Sequence, residues 1–166
     1  GKTLLLCSGY DRHRAVGRIV GPIIAAFRNR FGWPSDVAIF DHDAMVLIES
    51  SRDAGSILVN RLPGYRAPML GTSLGLAYLA FASTEEREEV LDRVTAMPAV
   101  WNEIARDRAK AEDYLAGIRD QGYATMHDEY SRTEYGRPVA EALATMVAPL
   151  KACADEIAGA LTAGPG

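Results

Sequence analysis

A chain of 166 residues with a formal charge of −4 and 24% charged residues is too acidic to hold nucleic acid by itself, because phosphate contacts need a basic face. Its 48% hydrophobic content excludes general disorder and is enough for the core of one domain. No apolar run approaches a membrane span, and no secretory signal is present.

The chain starts at Gly1 rather than Met, so it is expected to be a fragment of something longer. Thr3–Ser8 is short and apolar and reads as the remnant of a connector with no fold of its own. From residue 12 to 31, Val16, Ile19, Val20, Ile23, Ile24, Phe27 and Phe31 follow a helical stripe, with Gly21-Pro22 expected to kink or restart it and Gly32 to stop it. Arg12, Arg14, Arg18, Arg28 and Arg30 accompany the stripe.

Asp36–Asp41 and Met45–Glu49 are apolar, β-branched runs separated by His42-Asp43-Ala44, a hairpin signal. Ser56–Leu62 is a third strand candidate, closed by Pro63-Gly64. Short links favour an antiparallel meander over parallel units. Arg66–Phe81 reads as a Gly/Pro-bearing loop running into an apolar helix that starts at Ser73, with Thr72 or Ser73 able to cap it. Small residues at Gly71, Ser73 and Gly75 are expected to leave the backbone there open to a ligand carboxylate.

Ser83-Thr84-Glu85-Glu86 opens the next helix, which continues to Thr95. Asn102–Gln121 predicts another, with Ile104, Ala105, Ala109, Tyr114, Leu115 and Ile118 on its apolar side and Gly122 ending it. Tyr123–Thr125 reads as a short strand and Met126–Arg137 as loop. The last helix, Val139–Leu161, aligns Val139, Leu143, Met146, Val147, Leu150, Ile157 and Leu161. The sum is α+β: an antiparallel sheet flanked by helices.

Chemistry is sparse. His13 sits among arginines, His42 in the hairpin turn, and His127 beside Asp128 and Glu129 in loop, all three read as solvent-facing. No G-x-S-x-G elbow, P-loop, CxxC or HExxH occurs, so no motif supports catalysis, and no metal or cofactor is expected. The two cysteines, Cys7 and Cys153, lie far apart; this suits a reducing cytoplasm and leaves one distant disulfide open.

In order, these segments resemble the C-terminal effector-binding domain of the IclR family of bacterial transcription regulators. Gly64–Ala80 is similar to the family's "G-x-x-x-P-L-H-x-T-A-x-G-K-A-x-L-A" signature, and Trp33–Val37, Asp41–Val46, Ser83–Arg87 and Ile118–Ala124 follow its neighbouring segments. Trp33–Ala38, with Arg66–Pro68 and Ala77–Phe81, looks most like the branch that regulates breakdown of hydroxyphenylpropionate-type aromatic acids (MhpR-like).

The resemblance implies a sheet flanked by helices of GAF-like or profilin-like type. It implies a cytoplasmic homodimer or homotetramer, and operator DNA held only by an N-terminal winged helix-turn-helix domain absent from this chain. Residues 1–15 would be the connector from that domain and 16–166 the effector-binding domain. The implied effector is a small aromatic or other organic acid, touching Arg66, Met69, Thr72, Ser73, Leu74 and Met126. Met126 replaces a polar family position and Leu76 the signature Lys, which makes the expected wall apolar.

The family's strand pair after the Gly-Tyr turn has no counterpart between Tyr135 and Pro138, so a segment is expected to be missing near Arg137–Pro138. Two rivals remain at this level. One is a GAF or PAS-type sensor on a kinase or cyclase; the other is a small hydrolase or isomerase using His127, Asp128 and Ser131.

Overall fold

The computed structural model describes residues 2–32, 35–50, 63–130 and 139–163, with side chains over 15–32, 35–50, 63–130 and 147–163. Helix α1 (Lys2–Phe31) leads into a hairpin of β1 (Asp36–Asp41) and β2 (Ala44–Ser50), then β3 (Arg66–Pro68), α2 (Ser73–Phe81) and α3 (Thr84–Thr95). A 3-10 helix (Val100–Arg106), α4 (Arg108–Gln121) and α5 (Val139–Ala163) complete the chain. Among the described residues no helix is long and apolar enough to cross a membrane.

The stretch Thr3–Ser8, expected to lack a fold, belongs to α1, because extending an existing helix through Leu-rich sequence costs far less than nucleating one. The helix also runs as one element through Pro22 and does not restart there. Val20, Ile24 and Phe27 are buried along its stripe, whereas Phe31 at the end stands exposed.

The hairpin forms where its apolar runs predict, in the register Asp41↔Ala44 to Asp36↔Ser50, with Ile48 as the extra residue of a bulge opposite Val37/Ala38. His42 takes a positive φ of 61° in a tight turn in which the Asp43 N–H donates to the Asp41 carbonyl at 2.8 Å. Arg93 of α3 donates to the His42 carbonyl at 3.1 Å and holds this turn from outside.

The strand expected at Ser56–Leu62 lies outside the described residues. The observed third strand is β3, antiparallel to β2 with Met45↔Ala67 and Val46↔Arg66. Reading Arg66–Pro68 as loop is therefore corrected: among the described residues β3 is an edge strand and Pro68 its last residue, where no ladder N–H is required of it.

Apolar side chains leave both faces of the sheet. Ala38, Phe40, Met45 and Leu47 join α2, α3 and α4 in the main core around Leu76, Leu79, Leu91 and Leu115. Val37 joins Ile24 and Phe27 of α1 and Cys153 of α5 on the opposite side. Arg28 fixes α1 there by pairing with Glu49 at 3.2 Å and donating to the Ser35 carbonyl at 2.8 Å. Burial raises the Cys153 thiol pKa, and Glu156 adds to the rise.

Several expectations about the helices need correction. Phe81, the last residue of the apolar run expected for α2, is 65% exposed at the helix end. Asn102–Gln121 is two elements, because Asp107 adopts an extended backbone and its side chain accepts the Lys110 N–H, ending one helix and capping the next. Ala111, Leu115 and Ile118 are then the buried stripe of α4, with Ala109 and Tyr114 outside it. Gly122 closes α4 in the left-handed conformation its sequence predicts, at φ 74°. Tyr123–Thr125 forms no strand, and 128–130 are helical where loop was expected. In α5, Leu150 and Leu161 are exposed and Cys153 takes the buried place. The side chains of Val139, Leu143 and Met146, and the expected insertion point near Arg137–Pro138, lie outside the described residues.

Helix α2 is held at both ends. At its start Thr72 caps it, the hydroxyl accepting the Gly75 N–H at 3.2 Å and donating to the Pro68 carbonyl at 2.8 Å. At its end Arg87 reaches the Leu79 and Ala82 carbonyls at 3.3 and 3.2 Å, and Arg119 reaches Ala80 at 3.1 Å. These cations satisfy carbonyls that a helix end leaves without partners. Glu112 pairs with both arginines and holds them together.

A Cβ at Gly75 would lie 2.2 Å from the Met69 carbonyl oxygen. Gly75→Ala should therefore lower stability by about 1–3 kcal/mol, the usual cost of forcing extra atoms into a packed site. Urea unfolding checks this, and an unchanged midpoint would show that the approach is not required.

Candidate effector cleft

The approach of Met69 to Gly75 turns the chain sharply from β3 into α2 and sets Leu70 and Leu76 side by side, 2% and 1% exposed. The segment after Gly122 returns to this corner, where the His127 N–H donates to the Gly71 carbonyl at 3.1 Å. Trp101, from the 3-10 helix, stands edge-on to Tyr130 with ring centroids 5.3 Å apart. The Tyr130 hydroxyl lies 2.6 Å from that of Tyr65 just before β3.

Between these elements lies a half-open cleft of about 620 Å³. Its floor is Leu70 and Leu76, one wall is Val100, Trp101 and Ile104, and Tyr114 of α4 with Met126 forms the other. Thr125, Glu103, His127, Asp128 and Glu129 supply its polar lining. Val100 is 56% and Tyr114 43% exposed, so two large apolar side chains on the walls remain open to water. The size and mixed lining suit a small ring-bearing molecule.

Of the residues predicted to touch an effector, Met126 lines the cleft. Met69 and Thr72 are buried, at 1% exposure each, and form the corner behind it. Ser73 and Leu74 are half-buried on the first turn of α2, with Leu74 packed on the core. Arg66 lies elsewhere: from β3 it pairs with Asp41 and Asp43 of the hairpin and donates to the Asp41 carbonyl at 2.9 Å. Those two hydrogen bonds, Asp41's first, raise its pKa further above the ordinary guanidinium value.

The expectation that Gly71 and Gly75 leave free backbone is corrected. The rings of Trp101 and Tyr130 lie within 3.2 Å of where a Gly71 Cβ would stand, and the Met69 backbone fills the place beside Gly75. Their smallness serves the chain's own packing. His127, read as solvent-facing, is half-buried in the cleft lining, while Ser131 lies outside the described residues.

Val100, Trp101, Ile104 and Tyr114 were missed as site residues, and His127 and Asp128 were named only for the hydrolase or isomerase alternative. Tyr114 carried a usable signal: once Asp107 is taken as a cap, Ala111, Leu115 and Ile118 form the stripe and an aromatic stands off it. For Trp101 no local signal exists, because its neighbours in the cleft come from distant sequence.

The family profile described as bacterial transcriptional regulator IclR, C-terminal, matches residues 12–143. Among solved structures the chain is similar to the IclR of Thermotoga maritima, at 25% identity over 72% of this chain and 49% of that one, with a TM-score of 0.58. It thus spans about half the length of that protein. It is also similar to an IclR family regulator from Brucella abortus (20% identity, 97% and 68% covered, TM-score 0.67). A further likeness is to an IclR homolog from Microbacterium hydrocarbonoxydans complexed with 4-hydroxybenzoate (22% identity, 92% and 70% covered, TM-score 0.59).

Burial first, and then the Asp128 carboxylate, raise the pKa of the Tyr114 phenol above its ordinary value of 10.0. The folded chain therefore retains a proton that the unfolded chain gives up, and stability falls as pH climbs past the ordinary phenol value. Phenolate absorbance of the wild type minus that of Tyr114→Phe should show a midpoint above that value. A midpoint at or below it would place Tyr114 in plain solvent.

Proposed function

The chain belongs to the IclR family of bacterial transcriptional regulators, as their C-terminal domain, and on that premise we propose that it binds a small aromatic or other organic acid in the cleft beside α2. By this reading the effector sets how tightly a winged helix-turn-helix domain elsewhere in the protein holds operator DNA. The protein works as a cytoplasmic homodimer or homotetramer, and its part is binding rather than catalysis.

The observation that carries the reading is the cleft of about 620 Å³ with Trp101, Tyr114 and Met126 on its walls. An aromatic ring laid there covers Val100 and Tyr114, whose exposure otherwise costs about 25 cal/mol for each Å² of apolar surface left wet. The complex of the Microbacterium homolog with 4-hydroxybenzoate supports the same ligand class on the same fold. Met126 touches the effector directly. Met69, Thr72, Ser73 and Leu74 act from behind by fixing the start of α2, and Arg66 stays engaged with its two aspartates.

Control of DNA binding then follows from linkage. An effector changes DNA affinity only by the difference in its own affinity for the two arrangements of the regulator, and DNA changes effector affinity by the same factor.

A thermal-shift series with 4-hydroxybenzoate, benzoate, phenylpropionate and short aliphatic acids tests the proposal. A true effector at about a hundred times its Kd adds about 2.7 kcal/mol and should raise Tm by about 5–10 °C in a domain of this size. Trp101→Ala should abolish the shift. No shift with any aromatic or aliphatic acid would overturn the reading.

A further inference from the structure

The polar lining of the cleft is unusual for a site that receives an acid. Among the described residues lining it there is no Lys or Arg; its charged groups are Glu103, Asp128 and Glu129, all carboxylates. A ligand carboxylate turned toward them meets like charge and can only accept hydrogen bonds, as they do.

The remaining polar groups are Thr125 and His127, and the histidine is held in a defined state. Its backbone N–H is fixed on the Gly71 carbonyl at 3.1 Å. Its ring Nδ1 accepts the Glu129 N–H at 3.2 Å, capping the helical residues that begin at 128. With Nδ1 occupied as an acceptor, the ring proton is on Nε2, and that nitrogen is a donor. The cleft lining thus contains a residue with an N–H donor, His127, and next to it in the chain one with a carboxylate acceptor, Asp128. A hydroxyl fits that pair, since its oxygen accepts one hydrogen bond while its proton is donated to another group.

We infer that His127 and Asp128 together read a hydroxyl on the aromatic ring of the effector. The imidazole Nε2–H donates to the hydroxyl oxygen, and the Asp128 carboxylate accepts the hydroxyl proton. Asp128 also acts on the Tyr114 phenol across the cleft, which places its charge beside an aromatic wall. A hydroxy acid binds with its hydroxyl toward His127 and its carboxylate turned toward the open mouth, away from the Asp128 carboxylate. This rests on the cleft being the effector site and narrows the ligand class to phenolic compounds.

Calorimetric titration of the 166-residue chain with 4-hydroxybenzoate and with benzoate separates the two ideas. In the wild type the hydroxylated compound should bind about tenfold more tightly, the usual return for one well-made pair of hydrogen bonds. His127→Asn keeps an amide oxygen able to cap the Glu129 N–H but has no donor at the Nε2 position. Its unliganded Tm should hold while the affinity ratio falls below about twofold.

Asp128→Ala, on an exposed position that does not endanger folding, removes the acceptor and should also narrow the ratio, here by weakening 4-hydroxybenzoate. Equal affinities in the wild type, or a ratio that survives both substitutions, overturn the hydroxyl pair and leave the effector cleft standing. Should the His127 variant fail to fold, an unchanged ratio in the Asp128 variant alone overturns it. If neither compound binds the wild type, the hydroxyl pair is overturned, and the other acids of the thermal-shift series decide the effector reading.

Discussion

Gly75 lets the Met69 backbone enter space that any side chain would fill, with 2.2 Å between a notional Cβ and the Met69 oxygen. From that contact follow the sharp turn out of β3, the use of both hydrogen-bonding functions of Thr72 within the corner, and the pairing of Leu70 with Leu76 beneath the cleft. At the other end of α2, Arg87, Glu112 and Arg119 tie the last carbonyls to α3 and α4. The floor of the cleft is therefore pinned at both ends, as a binding surface must be to hold a ligand in one pose. The walls are fixed to the same core: Trp101 and Ile104 pack against it, Leu115 and Ile118 anchor α4 beside Tyr114, and the His127 N–H holds the returning segment on Gly71.

Much of this fold is legible in local chemistry. The hairpin, the Thr72 and Ser83 caps and the Gly122 stop are each set by one or two residues acting on their neighbours, so the sequence displays them directly. Where local chemistry is overruled, the cause is tertiary. Strand β3 is three residues long and contains a proline, and it becomes a strand because β2 offers Met45 and Val46 as partners. Asp107 is an exception that could have been read, since its side chain caps α4 by the same mechanism as Thr72 and Ser83.

The cleft was legible only in part, and for a definite reason. Met126 and the start of α2 are flagged by their place in a motif, but the motif does not say which side of the backbone is open. Gly71 and Gly75 look like room for a ligand in the sequence, and the structure gives that room to Trp101, Tyr130 and Met69. Arg66, the natural partner for a carboxylate, instead closes the hairpin with Asp41 and Asp43, acids that stand more than twenty positions earlier. Composition can suggest that an arginine awaits an anion. It cannot show that the chain has already supplied one.

This assignment of charge shapes what the cleft can sense. With Arg66 paired on the hairpin, the described lining of the cleft holds Thr125, His127 and carboxylates among its polar groups, beside the aromatic walls. Apolar contact with Trp101 and Tyr114 supplies affinity but discriminates poorly among rings of similar size, whereas an oriented donor rejects a ligand that leaves it unpaired. Regulation needs that second property, because a sensor must answer one metabolite among many similar ones. The sheet separates the cleft from α1, and Arg28–Glu49 together with the Val37 packing ties that helix to the far face. An effector alters α1 only if it binds one setting of these contacts better than another.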